Sequence, residues 1–216
     1  MESTLRRGAG AAGLKLIETL GWDGAAFARL DLHLARLTGA AVLLGWHCDL
    51  VAVRSALKTA VFAVPARVRL TLDGAGSIEV AVSTMPARAI QWRVGVADTR
   101  LSSGDAWLSV KSSNRFAYDQ ARATLPSGLD EVIFLNERGE VCDGSITTVF
   151  FDAGQGLCTP PLACGLLPGV LRAELLAAGT VREAVLHADH LGRVQLWVGN
   201  SLRGLIPAIF VNQIRP

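Results

Sequence analysis

Lys15, Lys58 and Lys111 are the only lysines of the chain, so chemistry that needs a primary amine has few candidates. Lys111 is the best of them. It follows a short apolar segment and opens the polar run Lys111-Ser112-Ser113-Asn114-Arg115, where a side chain leaves a packed element and faces a cavity. Desolvation at such a place raises the fraction of uncharged amine, the form that attacks a carbonyl. An isolated lysine is usually a solvated surface residue. What sets Lys111 apart is its company.

That company is an acid and two anion-binding patterns. Val141-Cys142-Asp143-Gly144-Ser145 places one carboxylate in an otherwise small and apolar stretch. Gly169-Val170-Leu171 opens a helix after Gly165-Leu166-Leu167-Pro168, leaving backbone N–H groups beside the positive end of a helix dipole. Asn200 and Ser201 follow an apolar strand and offer short hydrogen-bonding side chains to the same kind of ligand. An activated amine with a phosphate cradle describes a phosphorylated aldehyde cofactor bonded to lysine. Two other patterns carry less. Gly8-Ala9-Gly10-Ala11-Ala12-Gly13 matches the dinucleotide fingerprint in letters, but only a short polar leader precedes it, and a flexible segment is expected. His187 and His190 have no second ligand pair, and no metal is expected.

The elements that must position these residues follow from periodicity. A strand is expected over Leu14 to Leu20, a turn at Gly21-Trp22-Asp23-Gly24 and a returning strand over Ala25 to Leu30. Asp31 is expected to cap a helix reaching Gly45, and Asp49 a second helix with Leu50, Val53, Leu57 and Val61 on one face. Ala66 to Leu72 and Ser77 to Ser83 alternate about Asp73-Gly74-Ala75-Gly76, predicting an antiparallel hairpin with one buried face. Met85-Pro86-Ala87-Arg88 reads as a linker. The expected domains are therefore residues 1–86 and a larger domain, 87–216, that carries Lys111. In the second, strands are expected over Ile90 to Val96, Glu131 to Leu135, Ile146 to Phe151 and Val194 to Val198. Helices are expected over Asn114 to Thr124 and Val170 to Ala178.

Composition bounds the function. The chain has 216 residues, of which 50% are hydrophobic and 19% charged, so it can bury a core and is not predominantly disordered. A net charge of +2, with scattered arginines, gives no footprint for nucleic acid. No apolar run reaches the length of a membrane span, and the N-terminus lacks a leucine-rich signal core. Cys48, Cys142, Cys158 and Cys164 form no C-x-x-C pair, and reduced thiols are expected. These features predict a soluble cytoplasmic protein.

Taken in order, the motifs resemble the fold-type IV (class IV) pyridoxal-phosphate enzymes, which comprise branched-chain and D-amino-acid aminotransferases and 4-amino-4-deoxychorismate lyase. Ile17-Glu18-Thr19-Leu20 is similar to the family's early strand, and His33-Leu34-Ala35-Arg36-Leu37 to the helix whose arginine binds phosphate. Lys111 to Asn114 is similar to the Schiff-base segment, and Val141 to Gly144 with Ile146 to Phe150 to the acidic strand facing the pyridine nitrogen. Thr159-Pro160-Pro161, Gly165 to Arg172 and Asn200 to Gly204 complete the order. The resemblance covers nearly the whole chain after Leu14.

It implies a two-domain α+β, α/β fold, pyridoxal 5'-phosphate as cofactor, a small amino substrate and a homodimer. Lys111 and Asp143 would be catalytic, the lysine bonding the cofactor and moving a proton, the acid keeping the ring nitrogen protonated. Arg36, Val170, Leu171, Asn200 and Ser201 would hold the phosphate. Arg100, Arg115 and Arg203 are candidates for a substrate carboxylate. Four departures stand out. The family's usual acid is glutamate, and Asp143 has about 1.5 Å less reach. Thr148 stands where asparagine is usual, and Leu171 where threonine is frequent. The short turn Asp73 to Gly76 lacks the Arg/His that D-amino-acid aminotransferases use to hold a carboxylate. The Asn200 to Gly204 and Lys111 to Arg115 segments point to the lyase branch, with pyruvate elimination. An amino acid aminotransferase is the alternative, and a cofactor-binding protein without catalysis is a third.

Overall fold

The computed structural model describes residues 2–61 and 63–212. The chain divides into two compact units, Met1–Ala87 with Val110–Asn114 and Arg88–Ser109 with Arg115–Pro216. Among the described residues no helix is long and apolar enough to cross a membrane.

The first unit contains α1 (Glu2–Gly8), β1 (Lys15–Trp22), α2 (Leu30–Leu44), α3 (Leu50–Ala60), β2 (Ala66–Asp73) and β3 (Ile78–Thr84). Its sheet is antiparallel in the order β1-β2-β3. Alternation explains β2, which buries Val68, Leu70 and Leu72. α2 turns Leu34, Leu37, Ala41 and Leu44 inward and stops at Gly45, whose left-handed φ of 72° returns its N–H to Ala41 and Val42 carbonyls. The Asp49 carboxylate caps α3 by accepting from Val51 N and Ala52 N.

Several expectations for this unit give way. No strand forms over Ala25 to Leu30, because the Asp23 carboxylate takes the N–H groups of Ala25 and Ala26 into a tight turn. Phe27 bridges back to Trp22, with ring centroids 4.8 Å apart, and Ala28 N donates to Gly21 O at 2.9 Å. Arg29, at a left-handed φ of 56°, takes the cap position expected of Asp31, which instead pairs with Arg54. The polar leader forms α1, and the glycine run follows that helix and not a strand, as its reading as a false dinucleotide fingerprint expects. The predicted buried face of the hairpin belongs to β2. β3 lies at the sheet edge and leaves Val82 exposed.

The largest correction concerns Lys111, expected in the second domain. Its segment belongs to the first unit because it pairs with β1: Ile17 N donates to Lys111 O at 2.8 Å, and Ser113 N donates to Lys15 O at 2.8 Å.

The second unit contains β4 (Trp92–Leu101), α4 (Phe116–Ala123), β5 (Glu131–Asn136), β6 (Val141–Gly144), β7 (Thr148–Asp152), β8 (Cys158–Thr159), α5 (Val170–Ala177), β9 (Arg182–Glu183), β10 (Gln195–Asn200) and β11 (Gly204–Phe210). Its eight-stranded mixed sheet runs β6-β5-β4-β11-β10-β7-β8-β9. β5 is buried along its whole length. Ile133 and Leu135 pack with Trp92 and Val94 on one face, and Val132 and Phe134 with Ala97 and Leu101 on the other. A nearly continuous apolar run is what a strand covered on both faces requires. β6 lies at the sheet's edge, yet Gly144 N donates to Thr147 O at 2.7 Å, just before β7. The sheet therefore curls until these two strands meet. β11 was not anticipated, since Pro207 interrupts its apolar run.

Candidate functional site

In the first unit, β1 supports both basic candidates. Its Ile17 N–H holds the Lys111 carbonyl, and the next residue, Glu18, grips Arg36. The grip is bidentate: Arg36 Nε donates to Glu18 Oε1 at 2.9 Å and Nη2 to Oε2 at 2.6 Å. His33, one helical turn before Arg36, brings Nδ1 to 2.6 Å from Glu18 Oε2. Burial alone would raise the Glu18 carboxyl, but the Arg36 charge and the hydrogen bonds from His33 and Arg36 outweigh it and hold the pKa at about 2. The result is a guanidinium fixed along its Nε–Nη2 edge, a group whose chemistry suits a phosphate or carboxylate. Lys111 itself is half-buried.

In the second unit, Asp143 lies buried on β6, beside the turn Gly144 to Thr147. Glu131, at the start of β5, is fully buried under that turn. It accepts from Ser145 N (3.0 Å), Ile146 N (3.1 Å) and Thr147 Oγ1 (2.9 Å), and from the Ser145 hydroxyl. Arg115 braces the turn from another side, its Nη2 donating to Ser145 O at 2.8 Å.

The residues expected to cradle an anion, apart from Arg36, lie in the same unit. Val170 and Leu171 occupy the first turn of α5, whose Gly169 cap residue makes no side-chain cap bond. A Cβ on Gly169 would lie 2.6 Å from Thr148 Oγ1, so glycine lets the helix start close against β7. Ser201 is buried in the turn after β10. Asn200 does something other than expected. Its amide donates to Ile146 O at 3.0 Å, and its carbonyl accepts from Leu202 N and Arg203 N at 3.1 and 3.0 Å. It braces the turn after Asp143 rather than presenting itself to a phosphate.

The three candidate carboxylate binders separate. Arg100 is exposed on β4. Arg115 is committed to Asp119, to Ser145 O and to the face of Tyr118, 5.4 Å from the ring centroid. Arg203 stacks over Trp92 at 5.2 Å. Sequence reasoning missed Glu131 altogether. Its signal was a charged residue directly before four apolar residues that the sheet buries on both faces.

Residues 15–209 match the model of the family described as Amino-transferase class IV. The chain belongs to that family. A protein from Mesorhizobium loti, provisionally described as an amino-acid aminotransferase, is 45% identical with a TM-score of 0.88, the match covering 92% of this chain and all of that one. A Schizosaccharomyces pombe protein, provisionally named an aminodeoxychorismate lyase, is 30% identical over 210 residues, 92% of this chain and 90% of that protein. The 4-amino-4-deoxychorismate lyase of Pseudomonas aeruginosa shares the fold with a TM-score of 0.77 at 24% identity, covering 92% and 83% of the two chains. The family accounts for the order of the motifs and for the two-unit, mixed-sheet class IV architecture.

Proposed function

We propose that this protein is a pyridoxal 5'-phosphate-dependent enzyme of the aminodeoxychorismate lyase type, releasing pyruvate from a small amino substrate. The donor set fits the cofactor's chemistry. A guanidinium held by a carboxylate and a helix N-terminus without a side-chain cap suit a phosphate, a primary amine suits an aldehyde, and a buried carboxylate suits a protonated ring nitrogen. When bound, pyridoxal phosphate supplies an aldehyde for the amine and a ring that accepts the electron pair left at the substrate's α-carbon.

The residues would divide the work as follows. By the family resemblance, Arg36 in the first unit and, in the second, Ser201 and the backbone N–H groups of Val170 and Leu171 would each serve the phosphate. Lys111 Nζ would be the amine that holds the cofactor's aldehyde and would serve as the base for the substrate's α-proton, which leaves with the departing pyruvate. Asp143 holds a proton on the ring nitrogen. The observation that carries the reading is this Asp143 carboxylate, buried beside a turn that a second carboxylate holds in place. The Schizosaccharomyces pombe relative, similar over 92% of the chain, supports the lyase branch. The 45% identity to the Mesorhizobium loti protein favours a second reading, an amino acid aminotransferase with the same cofactor contacts.

A cytoplasmic, homodimeric enzyme agrees with both readings. Cys142, Cys158 and Cys164 are buried free thiols, as a reducing compartment allows, and burial pushes Cys164 up to about 12. The test is incubation with aminodeoxychorismate and, separately, with an L-amino acid plus 2-oxoglutarate. Pyruvate and aminobenzoate from the first, with no glutamate from the second, is the expected result. Glutamate alone would select the aminotransferase. Neither product, from protein that carries cofactor on Lys111, would leave only a binding protein.

A further inference from the structure

β6 does not hold Asp143 by strand pairing alone. Its register with β5 joins Gly144 to Ile133 and Val141 to Leu135, three steps on one strand against two on the other. Cys142 and Asp143 lie in that irregularity, the kind of bulge that re-aims a side chain. An aspartate has a single methylene between backbone and carboxylate, so its carboxylate goes where the backbone puts it. Something other than the ladder must fix the backbone here.

Glu131 is placed to do so. Its Oε1 accepts from Val132 N and Ser145 N, each at 3.0 Å, and from the Ser145 hydroxyl, while Oε2 accepts from Ile146 N and Thr147 Oγ1. Arg122 Nη1 stands 3.7 Å from Oε1. These donors saturate the roughly four lone-pair directions a carboxylate offers. Gly144 closes against the same group, since a Cβ there would lie 3.0 Å from Glu131 Oε2. Ser145, Ile146 and Thr147 therefore all hydrogen-bond to one buried carboxylate, in a turn that begins at Gly144, the residue after Asp143. Arg115 and Asn200 add braces through Ser145 O and Ile146 O, but each holds a single carbonyl.

Resting on the functional reading above, we infer that Glu131 is a positioning residue for catalysis, setting through the Gly144–Thr147 turn where the Asp143 carboxylate meets the cofactor's ring nitrogen. It touches neither substrate nor cofactor. Its effect passes entirely through Asp143.

The test compares wild type, Glu131→Gln and Asp143→Asn, each loaded with pyridoxal phosphate and, separately, with 1-methylpyridoxal phosphate, whose ring nitrogen is permanently positive. Borohydride reduction with mass mapping to Lys111 reports loading, and the pH dependence of the visible absorption reports the ring's state. Glutamine keeps the shape but turns an N–H donor towards other donors. Glu131→Gln is expected to load on Lys111, to shift the absorption profile in the direction of Asp143→Asn, and to lose turnover by at least about tenfold. The methylated cofactor is expected to bring it within about threefold of wild type carrying the same analogue. Thr147→Val, which removes one donor to Oε2, should move both readouts in the same direction by less, and takes over the test if Glu131→Gln does not fold. A loaded variant with the wild-type absorption profile, or a turnover loss that the methylated cofactor does not repair, overturns the inference and leaves the functional reading intact. Wild-type protein that takes up no cofactor on Lys111 overturns that reading, and the inference with it.

Discussion

Two buried glutamates, one in each unit, do opposite kinds of work. Glu18 is 2% exposed and faces charge, with both Arg36 nitrogens and His33 Nδ1 within 3 Å. Glu131 is 0% exposed, and the donors within hydrogen-bond distance of it are neutral backbone and hydroxyl groups. A carboxylate paired with a guanidinium fixes a side chain, and that side chain can turn elsewhere when the carboxylate is removed. A carboxylate paired with main-chain N–H groups fixes the backbone, which has nowhere to turn. On the proposed reading, one orients the Arg36 guanidinium for a ligand, and the other builds the platform for the Asp143 acid.

The contrast breaks most directly on stability. Glu131→Leu strands several buried donors at about 1–3 kcal/mol each, and even with partial relief by water a loss of about 4 kcal/mol or more is expected. Glu18→Leu leaves Arg36 still able to reach water at the edge of its site, so the cost should stay nearer 2–3 kcal/mol, below the roughly 3–5 kcal/mol of a fully enclosed broken pair. Urea denaturation of the two cofactor-free variants gives the order directly, and a larger loss at Glu18 would invert the comparison. On function the order concerns the groups these glutamates serve. Asp143→Asn removes an opposite charge worth about 1.4–4 kcal/mol at the ring nitrogen, so turnover should fall roughly ten- to a thousandfold while cofactor is retained. Single-turnover rates on borohydride-verified holoenzyme check this, and unchanged rates would free Asp143 of the role.

The same contrast explains what could be read from the sequence. Lys111, Asp143 and Arg36 stand out by residue type and by their resemblance to an ordered set of motifs. The Asp49 cap, the Gly45 stop and the alternation of β2 are local signals, and the structure follows them. What escaped was non-local or depended on a partner. Lys111 joins the first unit through pairing with β1, and Lys15 N reaches Ser113 Oγ across 98 residues. Glu131 resembles a surface acid until the sheet closes over it, and the Asp23 carboxylate turned an expected strand into a turn by taking its donors. Asn200 was expected at a phosphate, and its hydrogen bonds to Ile146, Leu202 and Arg203 depend on where β10 ends.

Acid sharpens the comparison further. The Glu18 carboxyl is held at about 2 against an ordinary 4.5. A depressed acid stabilises the fold fully above the unfolded value, and that contribution is lost as pH falls from about 4.5 towards 2. The shift corresponds to about 3 kcal/mol as an order of magnitude. Glu137 and Glu140, near the surface, are also held at about 2 and titrate in the same window, so the informative quantity is the difference between wild type and Glu18→Gln. That difference in unfolding free energy should be constant from pH 5 to 7 and shrink below pH 4.5. A flat difference down to pH 2.5 would mean that the Arg36 charge does not reach Glu18 as the geometry requires.

The smallest effect separates the two glutamates most cleanly. Glutamine at position 18 keeps one oxygen for Arg36 but loses the bidentate grip, so the guanidinium gains freedom that phosphate binding must then remove. Because the proposed reading puts the chemical step at Lys111 and Asp143, cofactor affinity should fall about tenfold, or about 1.4 kcal/mol, while kcat at saturating cofactor stays within about twofold. Glu131→Gln should show the reverse split, with affinity kept and kcat reduced. Spectrophotometric titration of both cofactor-free variants with pyridoxal phosphate, followed by turnover at saturation, separates the columns. If Glu18→Gln lowers kcat instead, the early-strand glutamate acts on the reacting centre and not only on the phosphate, and the division of labour between the two units would have to be redrawn.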